Sequence, residues 1–160
     1  MILYHGSDIN IEEINLSLCN PNKDFGRGFY LTEKIEDAKS LAKQRATISG
    51  RPGTINVYEF DASILVDTNL KIKVFKEYSL EWAEFVFRNR RGDDVEKFDI
   101  VYVPIADDRV GAQIARYAEG FMSAEEFLNR IKYFKGVTYQ YFFGTEKAIS
   151  FLNKMRHEYI

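Results

Sequence analysis

The sequence is poor in cysteine, in long apolar runs and in net charge, and each shortage narrows what the chain can be. Cys19 is the single cysteine among 160 residues, so an internal disulfide is excluded and a cysteine-ligated zinc site has too few thiolates. Nothing beside it in the sequence would activate its thiol, and it reads as a small, half-buried loop residue. No stretch approaches the roughly 20 apolar residues that a helix needs to cross a bilayer. The chain opens on the strand-like Ile2-Leu3-Tyr4 rather than on a basic segment followed by an apolar one, so a reducing, cytoplasmic setting is expected. Twenty-two basic side chains against 24 acidic ones leave a formal charge of -2. That supplies no global field for gathering nucleic acid or anionic lipid, and a nucleic acid would need a local patch. Repeats, low-complexity segments and linkers are missing too, which predicts one domain spanning 1–160.

Hydrophobic residues make up 46% of the chain and aromatic ones 15%, enough for a substantial core. Met1 to Gly6, Gly28 to Leu31, Thr54 to Phe60, Leu70 to Val74, Phe98 to Val103 and Val137 to Phe143 read as strands, the third buried on both faces and the fourth wet on one. Pro104 is expected to stop the fifth. Thr32 is a candidate N-cap for a helix carrying Ile35, Ala38, Ala42 and Ala46 at helical spacing and ending by Gly50 to Gly53. Ser79 opens a second helix, whose Arg88-Asn-Arg-Arg91 end complements its dipole. Arg109 to Ala118 is a third, and the capping-box pattern Ser123-Ala-Glu-Glu126 starts a fourth that runs to about Phe134 before a turn at Lys135-Gly136. Gly144-Thr145 is expected to cap a last helix with Ala148, Phe151-Leu152 and Met155 as its apolar stripe, which makes His157 a solvated helix-end residue. The sum is an α+β fold.

Three stretches stand out chemically. Asp24-Phe-Gly-Arg-Gly-Phe-Tyr-Leu-Thr-Glu33 joins a glycine loop, a short aromatic strand and a helix start, a junction suited to an anionic ligand with a flat ring. Tyr4-His5-Gly6-Ser7 precedes it, and Gln140-Tyr-Phe-Phe143 follows near the other end. On the strand candidate Val137 to Phe143, Gln140 shares a face with Thr138 and Phe142, whereas Val137, Tyr139, Tyr141 and Phe143 point the other way.

In this order the three stretches resemble the ADP-ribosyltransferase superfamily, in the branch with a His-Tyr-Glu triad that diphtheria-type toxins share with the poly-ADP-ribose polymerases. The sequence is more similar still to the small bacterial DUF3990-type group, through "YHGS", "DFGxGFYLT" and "QYxFxTEKAxxFL". The resemblance implies a split, mostly antiparallel β-core with flanking helices that holds NAD, as co-substrate, between two small sheets. By the same resemblance His5 bonds the adenosine ribose, the Gly6 backbone grips the nicotinamide amide and Tyr30 stacks on its ring, with Ser7, Arg27 and Gly28 completing the cofactor contacts and Arg27 meeting the pyrophosphate. Gly6 suits its part because it lets a ligand approach the main chain.

The catalytic set implied is His5, Tyr30 and Gln140. Gln140 stands where the family carries glutamate, and an amide can orient a ribose hydroxyl but supplies no negative charge and no general base. Glu146, Asp107 and Asp108 are the candidates for a replacement carboxylate, each with a simpler role as helix-start charge. Ala38 and Leu41 fall where the polymerases carry a serine and a second stacking tyrosine. No metal site is expected. The resemblance implies a mono-ADP-ribosyltransferase acting on an unknown protein or nucleic-acid acceptor, in a toxin or effector role with an antitoxin protein as a further partner. A catalytically silent NAD- or ADP-ribose-binding module and an NAD glycohydrolase are the alternatives, with transfer to a phosphorylated RNA end ranked last.

Overall fold

Seven strands form one sheet in the computed structural model, which describes residues 1–67, 69–93, 95–106, 108–132 and 137–160. β1 (Ile2–Ser7), β2 (Phe29–Thr32), β3 (Thr54–Phe60), β4 (Ile72–Val74), β5 (Ile100–Pro104), β6 (Tyr139–Phe143) and β7 (Leu152–Tyr159) lie in the order β4-β5-β6-β2-β1-β3-β7. Every neighbouring pair is antiparallel except β4 with β5. Helices α1 (Ile35–Ser49), α2 (Leu80–Arg91), α3 (Asp108–Ala118) and α4 (Ala124–Lys132) and the single turn α5 (Glu146–Ile149) complete the α+β fold.

Strand register assigns the side chains to faces. Tyr4, Gly6, Tyr30, Thr32, Gln140 and Phe142 share one face. On it, α1 lays Ala38 over Ile55 and Val57, while Trp82, Val86, Val110, Ile114, Phe127 and Ile131 pack over Val101, Val103 and Phe142. The helices therefore cover the two halves of the sheet separately. The opposite face carries Leu3, Phe29, Leu31, Tyr58, Phe60, Tyr141 and Phe143 in a third cluster. β3 is buried on both faces because α1 covers Ile55 and Val57 while Tyr58 and Phe60 join the opposite cluster, with only Glu59 exposed along it.

Local signals account for most boundaries. The Ser79 hydroxyl accepts from the Trp82 N–H at the start of α2, and Gly92, at φ 75°, closes it; Gly50, at φ 72°, does the same for α1. The start of α1 differs from expectation. Its N-cap position is Lys34, without a side-chain cap, because Thr32 is held in the ladder opposite Gln140, where its hydroxyl accepts from the Lys34 N–H at 3.2 Å. β5 ends at Pro104, as expected, but begins at Ile100 rather than Phe98, and β4 keeps three residues, with Val74 exposed instead of buried. The expected turn at Lys135-Gly136 and the end of the fourth helix beyond Lys132 lie outside the described residues.

The expected C-terminal helix is a correction. Only Glu146–Ile149 is helical, and Leu152–Tyr159 instead forms β7 on the free edge of β3. Val57 pairs with Arg156 and Tyr58 with Lys154, so Met155 is the extra residue of a bulge. That insertion places Leu152 and Met155 three apart, an apolar spacing that imitates a helix face. His157 accordingly lies on a strand opposite Asn56.

Candidate functional site

The sheet nearly divides in its middle. β1 and β2 share one registered pair, Tyr4 with Thr32, whereas β1 and β3 share six. Met1 and Phe60 exchange both backbone bonds, at 2.7 and 2.9 Å. Backbone groups alternate sides along a strand, so Leu3, His5 and Ser7 also bond toward β3, and Tyr4 and Gly6 aim theirs at β2. Past Tyr4 no registered partner meets them. The Gly6 N–H and C=O thus face a gap.

His5 stands at the gap. Its Nδ1 lies 2.8 Å from the Tyr30 carbonyl, the acceptor that an unbroken ladder would offer to the Gly6 N–H. A carbonyl only accepts, so Nδ1 carries the proton. The ring stacks on Phe29 with centroids 4.4 Å apart, and burial, aided by the charges of Arg45, Lys23 and Lys154, lowers the His5 pKa from 6.5 to about 4. At neutral pH the imidazole is uncharged, and Nε2 is a lone-pair acceptor suited to a hydroxyl donor.

Two cavities open on this gap, and Gly6, Tyr30 and Leu41 line both. The larger, about 640 Å³, lies on the α1 side and is walled by Tyr4, Thr32, Asp37, Ser40, Gln44 and Gln140. The other, about 450 Å³, is bounded by His5, the loop from Asp8 to Asn20, Lys23 and Arg45. Both volumes suit a small-molecule site.

The structure brings His5, Gly6, Tyr30 and Gln140 to this gap and places other sequence candidates elsewhere. Ser7 lines the smaller cavity and is buried opposite Thr54. Tyr30 walls both cavities, but its hydroxyl is used internally: it donates to the Gly26 carbonyl at 2.9 Å and accepts from the Phe25 N–H at 3.1 Å. Burial raises its pKa. The glycines have packing reasons of their own. A Cβ on Gly6 would lie 2.1 Å from the Ala38 carbonyl oxygen of α1, and one on Gly28 would lie 2.1 Å from the Phe142 ring. Gly6 lacks a side chain so that α1 can approach β1, while its backbone still faces the gap; Gly28 makes room for an aromatic neighbour.

Arg27 is exposed and lines neither cavity; its guanidinium donates to the Ser17 and Cys19 carbonyls at 2.7 and 2.8 Å. Glu146, at the start of α5, also lines neither cavity, and Asp107 and the Asp108 side chain lie outside what is described. Cys19 is half-buried in the smaller cavity, and burial raises its pKa. Ala38 and Leu41 do line the larger cavity, where neither offers a polar or aromatic contact.

The cavity residues to which the sequence assigned no role are Tyr4, Asp37, Lys23 and Arg45. Tyr4 faces the larger cavity beside Tyr30 and supplies a second aromatic wall. Lys23 and Arg45 come from the loop before β2 and from the exposed side of α1. Burial and then the charge of Arg45 lower the Lys23 pKa, and both cations line the smaller cavity. Lys23 also sits 6.0 Å from the Tyr30 ring centre. Only an i, i+4 relation of Arg45 to the cavity-lining Leu41 could have pointed to it from sequence.

The loop wall of the smaller cavity is tied down from β7. Lys154 Nζ donates to Asn10 Oδ1, the Ile11 carbonyl and Asn56 Oδ1 at 3.0, 2.6 and 2.7 Å. The buried Asn56 also donates to the Ile9 carbonyl and accepts from the Ile11 N–H. Among the described residues no cluster of three His, Cys, Asp or Glu side chains is placed to hold a metal, and no helix is long and apolar enough to cross a membrane.

The site thus combines a neutral imidazole acceptor, a paired backbone donor and acceptor suited to an amide, two aromatic walls and two neighbouring cations. No curated protein matches the chain. The family described as Protein of unknown function (DUF3990) matches residues 1–154, and the chain belongs to that family.

Proposed function

We propose that the protein binds NAD across the gap between β1 and β2 and transfers its ADP-ribosyl group to a macromolecular acceptor. The observation that carries this reading is the interrupted ladder at Gly6, whose free backbone edge lies between the neutral His5 imidazole and the cavity lined by Tyr4, Tyr30 and Gln140. A carboxamide needs a donor and an acceptor side by side, and the Gly6 edge offers both. His5 Nε2 then accepts from a ribose hydroxyl, and Lys23 with Arg45, rather than Arg27, face the diphosphate. Tyr4 and Tyr30 flank the nicotinamide ring. The resemblance of the three sequence stretches to ADP-ribosyltransferases supports the same chemistry, and a toxin or effector role opposed by an antitoxin protein rests on that resemblance alone.

The test is incubation of the purified protein with NAD and a cell lysate, with nicotinamide release and labelling of macromolecules both followed. Release with labelling is expected, and absence of both refutes the transferase. His5→Ala is expected to abolish turnover. Free ADP-ribose without labelling would assign NAD hydrolysis instead. Gln140 favours one second reading, a silent module in which the amide orients ribose without supplying charge. Saturable NAD binding by calorimetry, with no turnover over hours, would select it. Growth of a host expressing wild type beside His5→Ala tests the toxin role, which predicts harm only from wild type.

A further inference from the structure

We infer that Asp37 is the catalytic carboxylate of this site, on the reading that the gap binds NAD. Cleaving an N-glycosidic bond builds positive charge on the ribosyl carbon, and a fixed negative charge beside that carbon lowers the barrier. Gln140 carries none. Among the described residues lining the larger cavity, Asp37 is the single acid.

Its placement fits the task. Glu36 and Asp37 both sit in the first turn of α1, but Glu36 is exposed and Asp37 is half-buried toward the cavity. Asp37 Oδ2 lies 3.4 Å from the Thr32 hydroxyl. Thr32 is directly opposite Gln140 in the β2–β6 ladder, and opposed residues on one face have their Cβ atoms about 5 Å apart. The carboxylate and the amide therefore border the same space. Among the described residues Asp37 has no ion pair, so its charge is not neutralised by a neighbouring cation. The start of α1 alone would explain an acid here, but not one turned into a cavity beside an uncharged Gln140.

The step balances without a further reagent. The bond between ribose C1′ and the nicotinamide nitrogen breaks, and its electron pair leaves with nicotinamide. The Asp37 carboxylate offsets the charge on the ribosyl cation, an acceptor lone pair forms the new bond at C1′, and the acceptor's proton passes to Asp37 and on to solvent. Gln140 orients the ribose hydroxyl.

The test compares nicotinamide release from NAD and calorimetric binding of ADP-ribose for wild type, Asp37→Asn, and Asp37→Asn combined with Gln140→Glu. Asp37→Asn is expected to slow release by about 100-fold or more while ADP-ribose still binds. Adding Gln140→Glu is expected to restore release, because it returns a carboxylate to the same cavity. If wild type releases nicotinamide and Asp37→Asn does so equally fast, the assignment of Asp37 is overturned while the NAD reading stands. Loss of ADP-ribose binding in Asp37→Asn also overturns it, since a charge needed only in the transition state leaves product binding intact. A wild type without release overturns both.

Discussion

Acidification should destabilise the protein through His5 by an amount that the site fixes. The imidazole is held neutral by burial, which outweighs the opposing effect of its bond to the Tyr30 carbonyl and is aided by nearby cations, with a pKa of about 4 against an ordinary value of 6.5. Between those values the unfolded chain binds the proton and the folded one does not, so stability rises with pH across this window. The contribution is complete above pH 6.5 and is lost as pH falls toward 4. For a shift of this size it shrinks by about 2 kcal/mol on going from pH 7 to pH 5, and by about 3 kcal/mol at pH 4. The sum is a large part of the roughly 5–15 kcal/mol that holds a domain folded. Carboxylates titrate over part of the same range, so the measurement is a difference: urea unfolding of wild type and His5→Gln at pH 7, 6 and 5. Wild type should be the more stable at pH 7, and the gap should close by about 2 kcal/mol at pH 5. A gap that stays constant, or widens, would refute a neutral, half-buried His5.

Lys154→Met removes three hydrogen bonds that hold the cavity loop to β7 and should cost about 1–3 kcal/mol by urea unfolding; unchanged stability would show that the loop holds itself. Lys23→Ala combined with Arg45→Ala should weaken ADP-ribose binding by about 100-fold, the loss of two charge-assisted contacts, with a shallower salt dependence in calorimetry. Equal affinity would exclude those cations as the diphosphate contact. Gly28→Ala sets a methyl group against the Phe142 ring, 2.1 Å from an ideal Cβ position, and should destabilise by about 1–3 kcal/mol in thermal or urea unfolding; a neutral effect would mean that the ring moves freely.

Much of the scaffold is legible locally because single residues dictate it. Ser79 and Gly92 bound α2, and Thr54 to Phe60 announces an inner strand through β-branched and aromatic residues of both parities. β7 is illegible for a physical reason: its bulge at Met155 breaks the two-residue alternation, and the strand forms only because β3 presents an open edge. The site divides in the same way. His5, Gly6, Tyr30 and Gln140 sit in stretches whose composition is unusual, and the structure gathers them. The resemblance implies Arg27 as the pyrophosphate contact, yet nearby carbonyls hold it. Asp37, Lys23 and Arg45 reach the gap through packing of α1 and of the loop before β2, which no local pattern encodes.

His5 has two separable effects, and they bear on how its substitution is read. Besides offering Nε2 to a ligand, it occupies the Tyr30 carbonyl that would otherwise complete the ladder with the Gly6 N–H. His5→Ala therefore removes the acceptor and also frees the two strands to close. In wild type the Gly6 amide should exchange with solvent much faster than the Tyr4 amide, which has Thr32 opposite it. In His5→Ala the Gly6 amide should slow toward the Tyr4 rate as the strands pair, an effect that hydrogen exchange followed by NMR would resolve. His5→Asn, whose shorter amide can still donate, should leave the Gly6 amide fast while losing the ring stacked on Phe29. Slow exchange at Gly6 in wild type would mean that its backbone is already bonded, and then the gap offers no edge for a carboxamide. Fast exchange that persists in His5→Ala would show that α1, packed against Gly6 through the Ala38 carbonyl, holds the strands apart without help from the imidazole.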